Sequence, residues 1–431
     1  MSSLKKILVV GAAFAALSAG QAFAACTAPA PTPQSPPPCG QTGGDVAGTM
    51  TMATNEQIQL NNVSSDFKLK VHTAQEASAA AIAGGNVASA TVMNQSIAAN
   101  NRQIMKGETS ASARAEVGQI SKALVVTTYG FANGFTAGAE QGAAIVTSTQ
   151  VAGPNAHVNS TAFGRGRLAG SGASAALGAT AAGNVSNVSA SKGDFRAVVT
   201  QTAQANVTAD AKGEFCCNNG SASSAAIASA NNATLTGAQT TMNTNTVQTS
   251  SGSEVTAVSD LYVGGASNTV IGASTASGNA LTASNEFGFM RSGVTHTNSS
   301  AIMSQSWVTA GTLGAGSASA YGVGNTASMS NIGTDMRVSF DQRNSGSVQA
   351  WTALSGAGGV GVVNASAIGN ASQGFLCTTC GSGSMSALNS QFNSGRVEAI
   401  GTLVMPSATT ASGSAAAFGN ASSFFVGTPR H

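Results

Sequence analysis

Small and larger side chains alternate with a period of two along most of this chain, and the alternation recurs at a regular distance. The anchor is a small-x-small-x-Gly-Asn pattern ending at Asn86, Asn184, Asn279, Asn325, Asn370 and Asn420, with weaker copies at Asn133 and Asn232. Successive copies lie 47, 51, 48, 47, 46, 45 and 50 residues apart. Composition alone scatters such motifs; it does not space eight of them this evenly. One, three and five residues before each Asn most positions hold Gly, Ala or Ser, as in Gly324, Gly322 and Ala320, while Val323 and Tyr321 fill the positions between. A period of two is a strand signal, so periodicity overrules the helical preference of alanine. The small column is expected to face a tight interior, and each Asn to occupy a turn, where it tolerates positive φ.

A second marker precedes most copies by about 26 residues, as in Asn344-Ser-Gly-Ser-Val348 and Asn393-Ser-Gly-Arg-Val397. It divides each repeat into halves of about 26 and 21 residues, each sized for two strands and two turns. The expected architecture is all-β: a β-solenoid of about eight repeats of about 47 residues, two coils each, whose roughly 16 coils would stack to about 75 Å. Asn and Gln stacked at the turns would satisfy one another's amides. The end coils would expose edges that can pair with other chains, which makes self-association an expectation too.

The ends divide the rest. Lys5 and Lys6, an apolar run from Ile7 to about Leu17, and Ala22-Phe23-Ala24 read as a signal peptide over 1–24. The run is too short for a transmembrane helix. Residues 25–49 form a Cys-flanked, Pro-rich linker, 50–425 the solenoid and 426–431 a C-terminal tail. Cys26 at the cleavage point raises lipidation, but Phe23 stands where lipoproteins usually carry Leu.

Charged residues make up 8% of the chain and the net charge is +2. Ordinary globular chains carry about 25% charged residues. No basic stripe exists to neutralise phosphates, so nucleic acid is excluded as a partner. The six cysteines form close pairs. In an exported chain Cys26 with Cys39, and Cys377 with Cys380, are expected as disulfides. A zinc site from Cys216, Cys217, Cys377 and Cys380 lacks a CxxC at both ends.

Catalytic chemistry finds little support. Glycoside cleavage needs two carboxyls held face to face, and only Asp335 and Asp341 lie close in sequence, flanking Arg337. His72, His157, His296 and His431 have no acidic or Cys neighbour in sequence. The expectation is no enzyme, no cofactor and no metal. Aromatics cluster at Tyr129, Phe131, Phe135 and Phe163, and again at Phe418, Phe424 and Phe425, where capping of the core is the favoured role. Trp307 and Trp351, 44 residues apart, are expected on one wall of neighbouring repeats as candidate interaction aromatics.

The exported N-terminus, the Cys-flanked Pro-rich segment and the run of Gly-Asn coils from about 50 to 425 resemble the holdfast attachment protein D family. The Gly-Asn element alone matches curlin repeats. The resemblance implies a cell-surface protein at the outer membrane, at a pole or stalk tip, that anchors the polysaccharide holdfast. It implies two partners, a curlin-like subunit and an outer-membrane secretion protein resembling the curli pore. A self-assembling, curlin-like fibre subunit is the alternative.

Overall fold

The structure, a computed structural model, describes residues 50–170, 172–216, 220–252, 254–378 and 383–427. The signal peptide, the linker, Cys26, Cys39, Cys217, Cys380 and His431 lie outside the described residues. Sixteen strands, all in one sheet, account for nearly everything described. The last of them, Thr410–Gly427, runs into the expected tail.

Every pairing is parallel and joins residues 45 to 51 apart. One repeat is therefore one rung, which corrects the expectation of two coils per repeat. No pairing joins the two halves of a repeat. Eight rungs at the usual strand separation stack to about 35 Å, not about 75 Å.

A rung this long holds together because it encloses two cores instead of one thin core. In the rung beginning at Glu254, the first segment, 254–263, faces the early part of a long wall, 269–286. Val255, Leu261, Val270 and Ala276 share one apolar cluster there. The later part of that wall faces 290–298, where Leu281, Ala283, Met290 and Val294 belong to a second cluster. Both cores are built mainly from Ala, Val, Leu and Met, and each rung relies on its neighbours to bury them.

The interior face changes parity between the two cores. Val270, Ser274 and Ala276 are buried upstream, Leu281, Ala283 and Asn285 downstream, and residues 276 to 281 are buried in succession. The ladder skips the residue before the Asn at this point in each rung, as between Ser277/Val323 and Asn279/Asn325. The repeated Asn therefore sits at the middle of a strand with its side chain inside, and not at a turn. The fourth member of the column is Asn231, which pairs with Asn184 and Asn279, while Asn232 is its neighbour.

The small column has a steric reason at this midpoint. A Cβ on Gly278 would lie 2.6 Å from Asn298 Oδ1, and one on Gly324 2.5 Å from Asn344 Oδ1. In two other rungs the equivalent residues are Ala132 and Ala230, and the residues twenty positions on are the small Ala152 and Ser250. Volume is thus traded across the core, as close packing requires.

In five rungs a turn lies eight residues beyond the Asn. Asn94, Gln141, Lys192, Gln239 and Phe287 all have φ between 55° and 61°. A bulky residue such as Phe287 rarely adopts this conformation, so the stack of neighbouring rungs holds it there.

Candidate functional site

Two polar columns run through the stack. In the first, Asn86, Asn133, Asn184, Asn231, Asn279, Asn325 and Asn370 each donate Nδ2 to Oδ1 of the next Asn at 2.7–2.8 Å, ending on Asn420. The other Nδ2 hydrogen goes across the core to a backbone carbonyl, for example Asn279 to Thr297 at 2.9 Å. Donors and acceptor are all used, which is what makes a buried amide tolerable.

The second column holds Gln57, Gln103, Gln150, Gln201, Gln248, His296, Gln342 and Gln391 in register. Each Gln from 103 to 248 donates to the previous one at 2.7–2.9 Å, as does Gln391 to Gln342. His296 interrupts it. Gln248 Oε1 and both ring nitrogens of His296 are buried without a hydrogen-bond partner, and burial pushes the His296 pKa down to about 3. Sequence reasoning saw an isolated histidine; counting back by one repeat to Gln248 and forward to Gln342 would have shown the interrupted column.

Charge gathers on the outer face of the wall made by 63–71 and its register partners. One outward column reads Lys70, Glu116, Arg165, Glu214, Tyr262, Thr309; the adjacent one reads Lys68, Arg114, Phe163, Lys212, Asp260, Trp307. Arg114 pairs with Glu116 at 2.6 Å and stands 4.5 Å above the Phe163 ring. Glu214 receives Arg165 at 3.8 Å and Lys212 at 3.5 Å, and Lys212 reaches Asp260 at 4.0 Å. Burial, and then the Asp260 charge, holds the Asp210 carboxyl above its ordinary range. A shallow groove of about 960 Å³ runs over this wall. These carboxylates are far apart in sequence, so only the register brings them together.

Trp307 and Trp351 both lie on the outward register of this wall, Trp307 exposed and Trp351 half-buried with its indole Nε1 covered and without a hydrogen-bond partner, but they are not register partners. Trp307 pairs with Ala353, and Trp351 with Gln305 and Ile400. Their spacing of 44 falls two short of the 46-residue register, so they stand diagonally on adjacent rungs. Asp335 and Asp341 are engaged separately: Asp335 accepts from Ser384 N at 2.8 Å and Oγ at 3.0 Å, which lowers its pKa, and Asp341 pairs with Arg343 at 3.5 Å. Among the described residues no cluster of three His, Cys, Asp or Glu could hold a metal. His72 lines the groove, and His157 Nδ1 lies 3.4 Å from Asn206 Nδ2. Cys377 is disulfide-bonded.

The aromatics expected to cluster separate. The Tyr129 and Phe131 rings are 5.1 Å apart near the first rung, Phe135 is buried in the second core, and Phe163 stands apart on the charged wall. Phe424 packs 5.8 Å from Phe340, and Phe425 stacks 5.7 Å from Phe375, in the last rungs.

No curated protein and no solved structure matches this chain. The sequence model of one family, described as holdfast attachment protein D, matches residues 71–347. That span takes in more than half of the chain, including the interruption of the Gln column at His296. The chain is a member of the holdfast attachment protein D family.

Proposed function

We propose that the chain is a non-catalytic β-solenoid rod at the cell surface that ties a polysaccharide holdfast to the outer membrane by assembling with partner proteins. The family match over 71–347 carries this reading, because it implies a role in holdfast attachment. The stack supports it physically: Lys and Glu pairs sit on one wall, while among the described residues both end layers carry a strand edge that pairs with no further rung. A curlin-like subunit and an outer-membrane secretion protein resembling the curli pore are the partners the family resemblance suggests.

The end rungs favour one second reading, self-assembly into fibres. Met52, Met93, Leu388 and Phe392 are 62–82% exposed there. The Asn column is also polar, running from Asn86 Nδ2 toward Asn420 Oδ1, so a head-to-tail contact would continue it in the same sense.

Deleting the gene separates the two. Adhesive polysaccharide is expected in the medium instead of on the cells. Adhesive that stays on the cells, with purified chain seeding its own fibres, would replace attachment by the fibre reading.

A further inference from the structure

The groove over the charged wall has a chemistry that neither the Asn and Gln columns nor the open ends explain. It is lined by four cations, Lys70, Arg165, Arg167 and Lys212, and three carboxylates, Glu116, Glu214 and Asp260. The signs nearly cancel, and they alternate along the column Lys70, Glu116, Arg165, Glu214. A polyanion would meet a repelling carboxylate one rung after Lys70, Arg165 and Lys212, so the balance disfavours a strongly charged ligand. Paired carboxylates and guanidiniums still offer lone pairs and N–H groups to hydroxyls.

At its C-terminal end the groove gives way to aromatic surface. Tyr262, 53% exposed, lines it, and Trp307, 37% exposed, sits one outward position away on the next rung, in register with the groove residue Asp260. Trp351 follows diagonally on the rung after that. Flat aromatic faces stack on the apolar face of a pyranose, while hydroxyl-bonding side chains hold its edge. The rungs repeat at about 4.8 Å, close to the length of one sugar in an extended chain. Successive sugars of a strand lying along the stack would therefore meet successive rungs.

We propose that this groove, continued by Tyr262, Trp307 and Trp351, binds an uncharged glycan strand lying along the stack axis. The inference rests on the attachment reading and gives it a contact surface. Trp307 and Trp351 are the only tryptophans in the chain, so their emission reports on this wall directly.

The test titrates the purified full-length exported chain with cellohexaose and with chitohexaose, followed by tryptophan emission and by calorimetry. Saturable binding of at least one hexaose is expected, insensitive to salt, and weakened about tenfold or more, or about 1.4 kcal/mol, by Tyr262→Ala and by Trp307→Ala. Both residues point outward, and unchanged circular dichroism checks the fold. Three results overturn the proposal: no binding of either hexaose, binding that both variants leave intact, or binding only of a polyanion such as dextran sulfate with steep salt dependence. In cells, the double variant is expected to shed adhesive as the deletion does. If the deletion sheds and the double variant retains, attachment stands and the groove is not its contact; if the deletion does not shed, the attachment reading fails whatever the titration shows.

Discussion

Replacing Asn279 by leucine is expected to destabilise the chain by about 3–6 kcal/mol. The change leaves three buried groups unpaired: the Asn231 Nδ2 hydrogen, the Asn325 Oδ1 and the Thr297 carbonyl. Each costs about 1–3 kcal/mol when its partner is removed and water cannot replace it. The same substitution at Asn420 provides the comparison. Asn420 ends the column and only accepts from Asn370, so the loss there is expected near 1 kcal/mol. Stacked repeats can open in parts, so hydrogen exchange resolved by rung is the suitable measurement. Equal protection in both variants would mean that the column carries no more stability in the middle than at the end.

His296→Gln is expected to act in the opposite direction. A Gln here restores the column, with Nε2 placed to donate to Gln248 Oε1 and Oε1 to accept from Gln342. It satisfies buried groups that now have no partner, for a gain of about 2 kcal/mol at neutral pH. The pH dependence follows from the buried ring. Its folded-state pKa, about 3, lies below the ordinary 6.5, so the unfolded chain binds the proton more readily. The His296 contribution is complete above pH 6.5 and is lost as the pH falls toward 3, with a slope of about 1.4 kcal/mol per pH unit. Melting temperatures recorded between pH 7.5 and 4.5 should fall for the natural chain, and fall less for His296→Gln. Parallel curves would show that the ring reaches solvent.

Much of the fold was readable because parallel pairing one repeat apart writes its register into the sequence. The Asn column, its spacing and the small residues at Gly322 and Gly324 all follow from rungs that repeat the same contacts. What failed was the geometry within one repeat. The marker at Asn298, Asn344 and Asn393 is a true corner, where one rung ends and the next begins, and these three residues form a short amide column of their own there. The Gly-Asn pattern was the misleading one: composition does not distinguish the midpoint of a long wall from the turn into a new coil, because Asn, Ser and Gly fill both. Nor did it locate the turns. Lys192 and Phe287 adopt positive φ against their own preference, held by the stacked rungs, and only the glycine that follows each of them hints at it. The charged wall was hidden for a third reason: Glu116, Arg165, Glu214 and Asp260 are each a full repeat apart, so no local window contains two of them.

One repeat per rung is the claim on which the columns, the groove and the open ends all depend. Spin labels at Thr256 and Met303, register partners on the outward face, test it by dipolar broadening of the continuous-wave spectrum. Strong broadening for this pair, and none for labels at Thr256 and Thr282, is the expected result. Broadening for Thr256 with Thr282, and its absence for Thr256 with Met303, would mean that each repeat forms two coils and would contradict the account.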